Sequence, residues 1–121
     1  MARRSIFTMI LALLASSSIF GADLAGKWTA AFDTQIGEQH YTYDFKVSGD
    51  IVTGSAKSDN GEVQIKDGKL NGDIVTFVEN LNFQGMELRI VYTGKISGDE
   101  IKFTRNVADI ASENLIAKRA K

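Results

Sequence analysis

The chain has 121 residues, a near-neutral balance of 14 basic and 15 acidic side chains, and neither cysteine nor proline. The lack of cysteine excludes disulfides, thiolate chemistry, Cys-ligated metals and a lipoprotein acyl anchor, so stability has to come from packing. The lack of proline leaves every strand able to donate along its whole ladder.

Arg3-Arg4, an apolar run from Ile6 to Ala15, small residues and Phe20-Gly21-Ala22 together predict a secretory signal peptide over 1–22, cleaved near Gly21 or Ala22. The apolar run is shorter than the roughly 20 residues that a membrane span requires. The expected mature domain, 23–121, loses Arg3 and Arg4 and no acid, which leaves 12 basic and 15 acidic side chains and a net charge of −3. Such a surface has no basic field to attract nucleic acid or an anionic membrane, and a secreted or periplasmic monomer is expected.

From there to the C-terminus the residues read as eight short strands, near 26–33, 39–48, 51–58, 62–70, 74–81, 86–97, 100–107 and 112–119. Alternation supports them: Trp28, Ala30 and Phe32 share one face of the first, Tyr41, Tyr43, Phe45 and Val47 of the second, Leu88, Ile90, Tyr92 and Ile96 of the sixth. Their neighbours Lys27, Thr42, Lys46, Glu87, Arg89 and Lys95 take the opposite, solvated face. The fourth breaks the rule, because Val63 and Ile65 have the opposite parity to Leu70, and a bulge at Asp67-Gly68 reconciles them.

Three segments repeat one punctuation. Lys46–Val52, Lys69–Val75 and Lys95–Ile101 each place Gly-Asp between runs of strand-forming residues, which predicts two-residue hairpins with glycine at the first central position. The register follows: Val47 faces Val52 and Phe45 faces Gly54, Leu70 faces Val75 and Gly68 faces Phe77, Ile96 faces Ile101 and Gly94 faces Phe103. A meander of eight with one apolar face removes its free edges by closing, so the expected fold is all-β, an eight-stranded antiparallel up-and-down barrel. The three Gly-Asp turns fall at one end. Thr34–Glu38, Asp59–Gly61, Asn82–Gly85 and Ala108–Ala111 fall at the other and are expected to be longer and more varied, which makes that end the place for a site.

Gly26-Lys27-Trp28 at the start of the first strand resembles the opening of the calycin superfamily, which includes the lipocalins, the avidins and bacterial metallopeptidase inhibitors. The resemblance implies that Trp28 closes one barrel end beneath a basic side chain from the last strand, here Arg119, with Lys118 as second choice. The mature chain is also similar to small secreted bacterial proteins with the same Gly-Lys-Trp-Thr start and repeated Gly-Asp turns. Departures narrow the function. Avidin-type sites box biotin with several tryptophans and this chain has one; lipocalins are longer and roomier; the inhibitors reach their target with an N-terminal extension that Asp23 to Ala25 barely provides. The resemblance carries over a fold more readily than an activity.

No catalytic constellation assembles. His40 is the only histidine and has no identifiable partners for metal or base chemistry; it reads as an exposed strand residue. Asp33, Glu38, Asp44, Glu79 and Glu87 read as ion-paired or solvated, with Glu79 opposite Lys66 in the hairpin register. Ser58–Glu62 lacks the spaced ligands of a calcium loop. No enzyme activity, cofactor or metal is expected. Arg105 stands out, because the register puts it opposite Tyr92 on the inward side, where it must meet a carboxylate, stack on an aromatic, or reach a ligand. The expectation is therefore a non-catalytic binding module in which Tyr43, Tyr92 and Arg105 hold a small apolar or anionic ligand. The alternative is a protein–protein module, an inhibitor or accessory domain of a secreted hydrolase, working through Ile36, Phe83, Met86 and Ile110.

Overall fold

The computed structural model describes residues 23–120; the signal-peptide expectation for 1–22 lies outside the described residues. Nine strand segments follow one another without a helix: β1 (Gly26–Thr34), β2 (Gly37–Ser48), β3 (Ile51–Ser58), β4 (Gly61–Gln64), β5 (Lys66–Asn71), β6 (Ile74–Phe83), β7 (Met86–Ser97), β8 (Glu100–Val107) and β9 (Ala111–Arg119). β4 and β5 are two pieces of one stave, interrupted at Ile65 and both paired to β3. Every pairing is antiparallel between chain neighbours, and β9 returns to β1, giving the closed eight-stranded up-and-down barrel that the alternation predicts.

The three Gly-Asp hairpins take the expected register. Val47 pairs with Val52 and Phe45 with Gly54, Leu70 with Val75, Ile96 with Ile101 and Gly94 with Phe103. The first central residue has φ of 64° at Gly49, 63° at Gly72 and 62° at Gly98, a left-handed conformation that only glycine adopts without steric cost.

The fourth stave departs in detail. The ladder between β5 and β6 shifts between Lys66 and Lys69, with Asp67 at φ 55°, so the irregularity falls where opposing parity requires it. The extra residue changes two partners. Lys66 pairs with Val78, not Glu79, and the expected pairing of Gly68 with Phe77 is absent from the ladder, Gly68 being paired only across the other edge, with Val52. Glu79, in line with Val75 and Phe77 along β6, is an inward residue, 1% exposed, rather than a solvated or ion-paired surface carboxylate.

The connections at the other end are also tighter than expected. Thr34 pairs directly with Gly37, Ser58 with Gly61 and Phe83 with Met86, each around two residues, while Val107 and Ala111 enclose three. Gln84, Ala108 and Asp109 hold positive φ there without being glycine, and side chains brace these turns: the Asn82 Oδ1 accepts from Gly85 N and the Asn106 Oδ1 from Asp109 N.

Aromatic side chains fill the interior. Trp28, Tyr43, Phe45, Phe77, Tyr92 and Phe103 are all essentially inaccessible, each contributing about 1.5–3 kcal/mol of burial. Phe77 stacks on Tyr92 at 4.4 Å between centroids, and Tyr43 meets Tyr92 edge-on at 5.7 Å. At the Gly-Asp end, the Trp28 indole N–H donates to the Leu24 carbonyl at 2.8 Å and the Arg119 guanidinium lies 4.3 Å over its ring, the closure that the Gly-x-Trp opening implies.

Candidate functional site

Five inward residues converge beneath the end bearing the β1–β2, β6–β7 and β8–β9 turns. Strand alternation delivers each: Tyr41 from β2, Glu79 from β6 in line with Val75 and Phe77, Tyr92 from β7, Arg105 from β8 and Glu113 from β9. Arg105 pairs in register with Tyr92 on one side and Glu113 on the other.

The polar contacts form one chain. Tyr41 and Tyr92 hydroxyls donate to the two oxygens of Glu79, at 2.8 and 2.9 Å. The Tyr92 oxygen accepts from Arg105 Nη1 at 2.9 Å and lies 2.9 Å from the Tyr43 hydroxyl; with Tyr43 as donor, every hydroxyl proton in the chain has an acceptor. Arg105 Nε sits 3.0 Å from Glu113 Oε1 as an ion pair, though not in hydrogen-bonding alignment. The guanidinium also lies over the rings of Phe32, Tyr41 and Tyr92, at 5.0, 5.2 and 5.3 Å. Of the fates open to an inward arginine, a carboxylate partner and aromatic stacking are both realised at this one side chain.

Burial governs the protonation of the cluster. It raises the Glu79 carboxyl above its ordinary value, against the opposing pull of Tyr41, Arg105 and Tyr92, and it pushes Tyr41 up to about 12. Tyr43 and Tyr92, fully enclosed, are likewise raised well above their ordinary value by burial. At Arg105 burial works against the charge, but Tyr92, Tyr41 and Glu79 outweigh it and the guanidinium stays protonated. The cation thus pairs directly with Glu113 and is linked to Glu79 through the Tyr92 hydroxyl, so its charge already has partners within the barrel.

Above this layer is a cavity of about 100 Å³, walled by Ile36, Leu81, Phe83, Leu88, Val107 and Ile110, with Gln39, Tyr41, Arg105 and Glu113 as its polar lining. Of the residues expected to hold a ligand, Arg105 reaches this space; Tyr43 and Tyr92 lie beneath it, sealed from it by packing. Of those expected to meet a partner, Ile36, Phe83 and Ile110 ring the cavity. Met86, the ladder partner of Phe83, stands beside it at 63% exposure.

The sequence reading names neither Glu113 nor Gln39 as a site residue, and it places Glu79 on the surface. The spacing Val75, Phe77, Glu79, Leu81 already carried the signal for Glu79, and extending the register around the β8–β9 turn reaches Glu113 opposite Arg105. Among the described residues, no group of three or more His, Asp or Glu side chains is arranged to hold a metal ion, and His40 stands exposed, 3.7 Å from Glu38. No family model, no curated protein and no solved structure matches this chain.

Proposed function

We propose that this protein is a non-catalytic binding module, a secreted or periplasmic barrel of calycin type, that takes an apolar side chain of a protein partner into the cavity above Arg105. The supporting observation is the filled interior combined with an apolar rim. A cavity of about 100 Å³ is smaller than the roughly 150 Å³ that accommodates benzene in an apolar core. It falls well below the roughly 300 Å³ at which small-molecule pockets begin. Around it, Ile36 is 47% exposed and Ile110 75%, side chains that water would not otherwise be expected to favour in a group. The stacked Trp28–Arg119 closure supports the calycin reading, which includes inhibitors of secreted enzymes.

A photo-crosslinker placed at position 110 tests this in an envelope extract. A discrete protein adduct that disappears with Ile36→Glu is the expected result. No adduct, together with a small molecule retained through native mass spectrometry, would overturn it and favour the second reading, in which the same cavity holds a small apolar ligand. An anionic ligand is the weaker form of that reading, since Glu113 already pairs with Arg105.

A further inference from the structure

The barrel closes along an unequal seam. β1 pairs with β2 through nine residues and β9 with β8 through eight, but β1 and β9 share only two registered pairs, Trp28↔Arg119 and Thr29↔Lys118. Past that point β1 continues to Thr34, and β9 starts as early as Ala111, without a ladder between them. Extending the register would set Ala31 opposite Ile116 and Asp33 opposite Asn114. In an antiparallel ladder, alternate residues direct both N–H and C=O to the same side. Thr29 faces β9, so Ala31 and Asp33 do also; Lys118 faces β1, so Ile116 and Asn114 do also.

A groove of about 970 Å³ follows this seam on the outside, lined by Thr29 and Ala31 on one bank and Asn114, Ile116 and Lys118 on the other. A second hollow, of about 310 Å³, continues it between Asp33 and Ser112. Although the chain is acidic overall, the charged side chains lining the main groove are Lys102 and Lys118, beside His40 and with no carboxylate among them; Asp33 and Glu113 are confined to the hollow that continues it. Lys118 has a loose, exposed contact with Glu100 at 3.9 Å; Lys102 has no ion-pair partner among the described residues.

We infer that the β1–β9 seam is a docking site for an extended, acidic peptide segment of a partner protein, held by strand addition along the unladdered edge and by Lys102 and Lys118 above it. Exposed edge groups are what strand addition uses, and the side chains on alternate positions supply selectivity. An inserted segment would run antiparallel to one bank and parallel to the other, so a single strand fits where a folded sheet edge does not. This surface lies on the barrel wall and does not depend on the rim reading above.

Fluorescence anisotropy with a labelled peptide of repeated valine–glutamate tests the inference. Binding should be at least about tenfold tighter than for the valine–lysine counterpart, and should be lost when alternate valines are replaced by proline, which cannot donate to a ladder. Reversal of Lys102 and Lys118 to glutamate should exchange the preference between the two peptides. Trp28 emission reports that the reversed variant keeps its fold. Equal binding of acidic, basic and proline-containing peptides, no binding of any, or association of the chain with itself through the seam would overturn it.

Discussion

The backbone of Gly94 lies directly against the ring of Phe103, its ladder partner across the β7–β8 hairpin. A methyl group there would collide with that ring and with Ile101, in backbone that any residue can adopt. Gly94→Ala is therefore a packing substitution alone, expected to cost about 1–3 kcal/mol in urea unfolding. At Gly54, beneath Phe45, a methyl would strike the Asp44 carbonyl and φ is +139°, so Gly54→Ala should cost more. Gly98, at a turn with open space around it, should cost about 1 kcal/mol through conformation only.

All three tyrosines of the chain belong to the buried polar layer. Burial raises each above its ordinary value of 10, Tyr41 to about 12 and Tyr43 and Tyr92 well above 10. The folded state therefore holds tyrosine protons that the unfolded chain releases, and stability must fall as pH rises above 10. Phenolate absorbance should stay silent through pH 10 and then rise in one cooperative step that coincides with loss of Trp28 burial. A gradual titration of even one tyrosine around 10 would contradict the enclosure of the layer.

Glu79 carries the opposite end of the same linkage. Its folded value is raised above 4.5 by burial, so the proton stabilises the fold below that pH and the contribution disappears as pH climbs through the raised value. Glu79→Gln should gain stability relative to the parent as pH rises above 4.5, the ordinary carboxyl value. Glu79→Leu, which leaves the Tyr41 and Tyr92 hydroxyls without their acceptor, should cost about 2–4 kcal/mol throughout. A parent that gains on Glu79→Gln with rising pH would mean that Arg105 governs the carboxyl more strongly than desolvation does.

What the sequence made legible was local. Gly-Asp between strand-forming runs determines both a turn and its register, so Val47 against Val52 and Arg105 against Tyr92 follow by counting. Trp28 beneath Arg119 follows from a resemblance and a strand position. Counting fails where a residue is added: the shift between Lys66 and Lys69 moved the partner of Glu79, although the run Val75, Phe77, Glu79, Leu81 still marked it as inward. The tight turns at Gln84 and at Ala108-Asp109 gave no warning, because left-handed conformation there is imposed by tertiary context on residues that do not advertise it. The seam was invisible for another reason. β1 and β9 meet across the whole length of the chain, with no turn to count from, and the size of the cavity above Arg105 depends on how side chains fill space.

Arg119 allows the closure of the Gly-Asp end to be divided into parts. Its carboxylate partners, Asp99 at 3.0 Å and Asp23 at 3.9 Å, are both more than four-fifths exposed, so screening leaves these pairs with little energy. Its other contacts are the Trp28 ring and the carbonyls of Asp23 and Ala25, which tie the segment before β1 to the last strand. If the latter dominate, Asp99→Asn should change stability by less than about 0.5 kcal/mol and Arg119→Ala by about 1–2 kcal/mol. Arg119→Lys should recover less than half of that loss, since an ammonium keeps the charge but not the planar fork that spans two carbonyls. High salt should leave the Arg119→Ala cost almost unchanged. A cost that vanishes with salt would assign the closure to the aspartates, and amide exchange at Asp23 to Ala25 would then be the same in Arg119→Ala as in the parent.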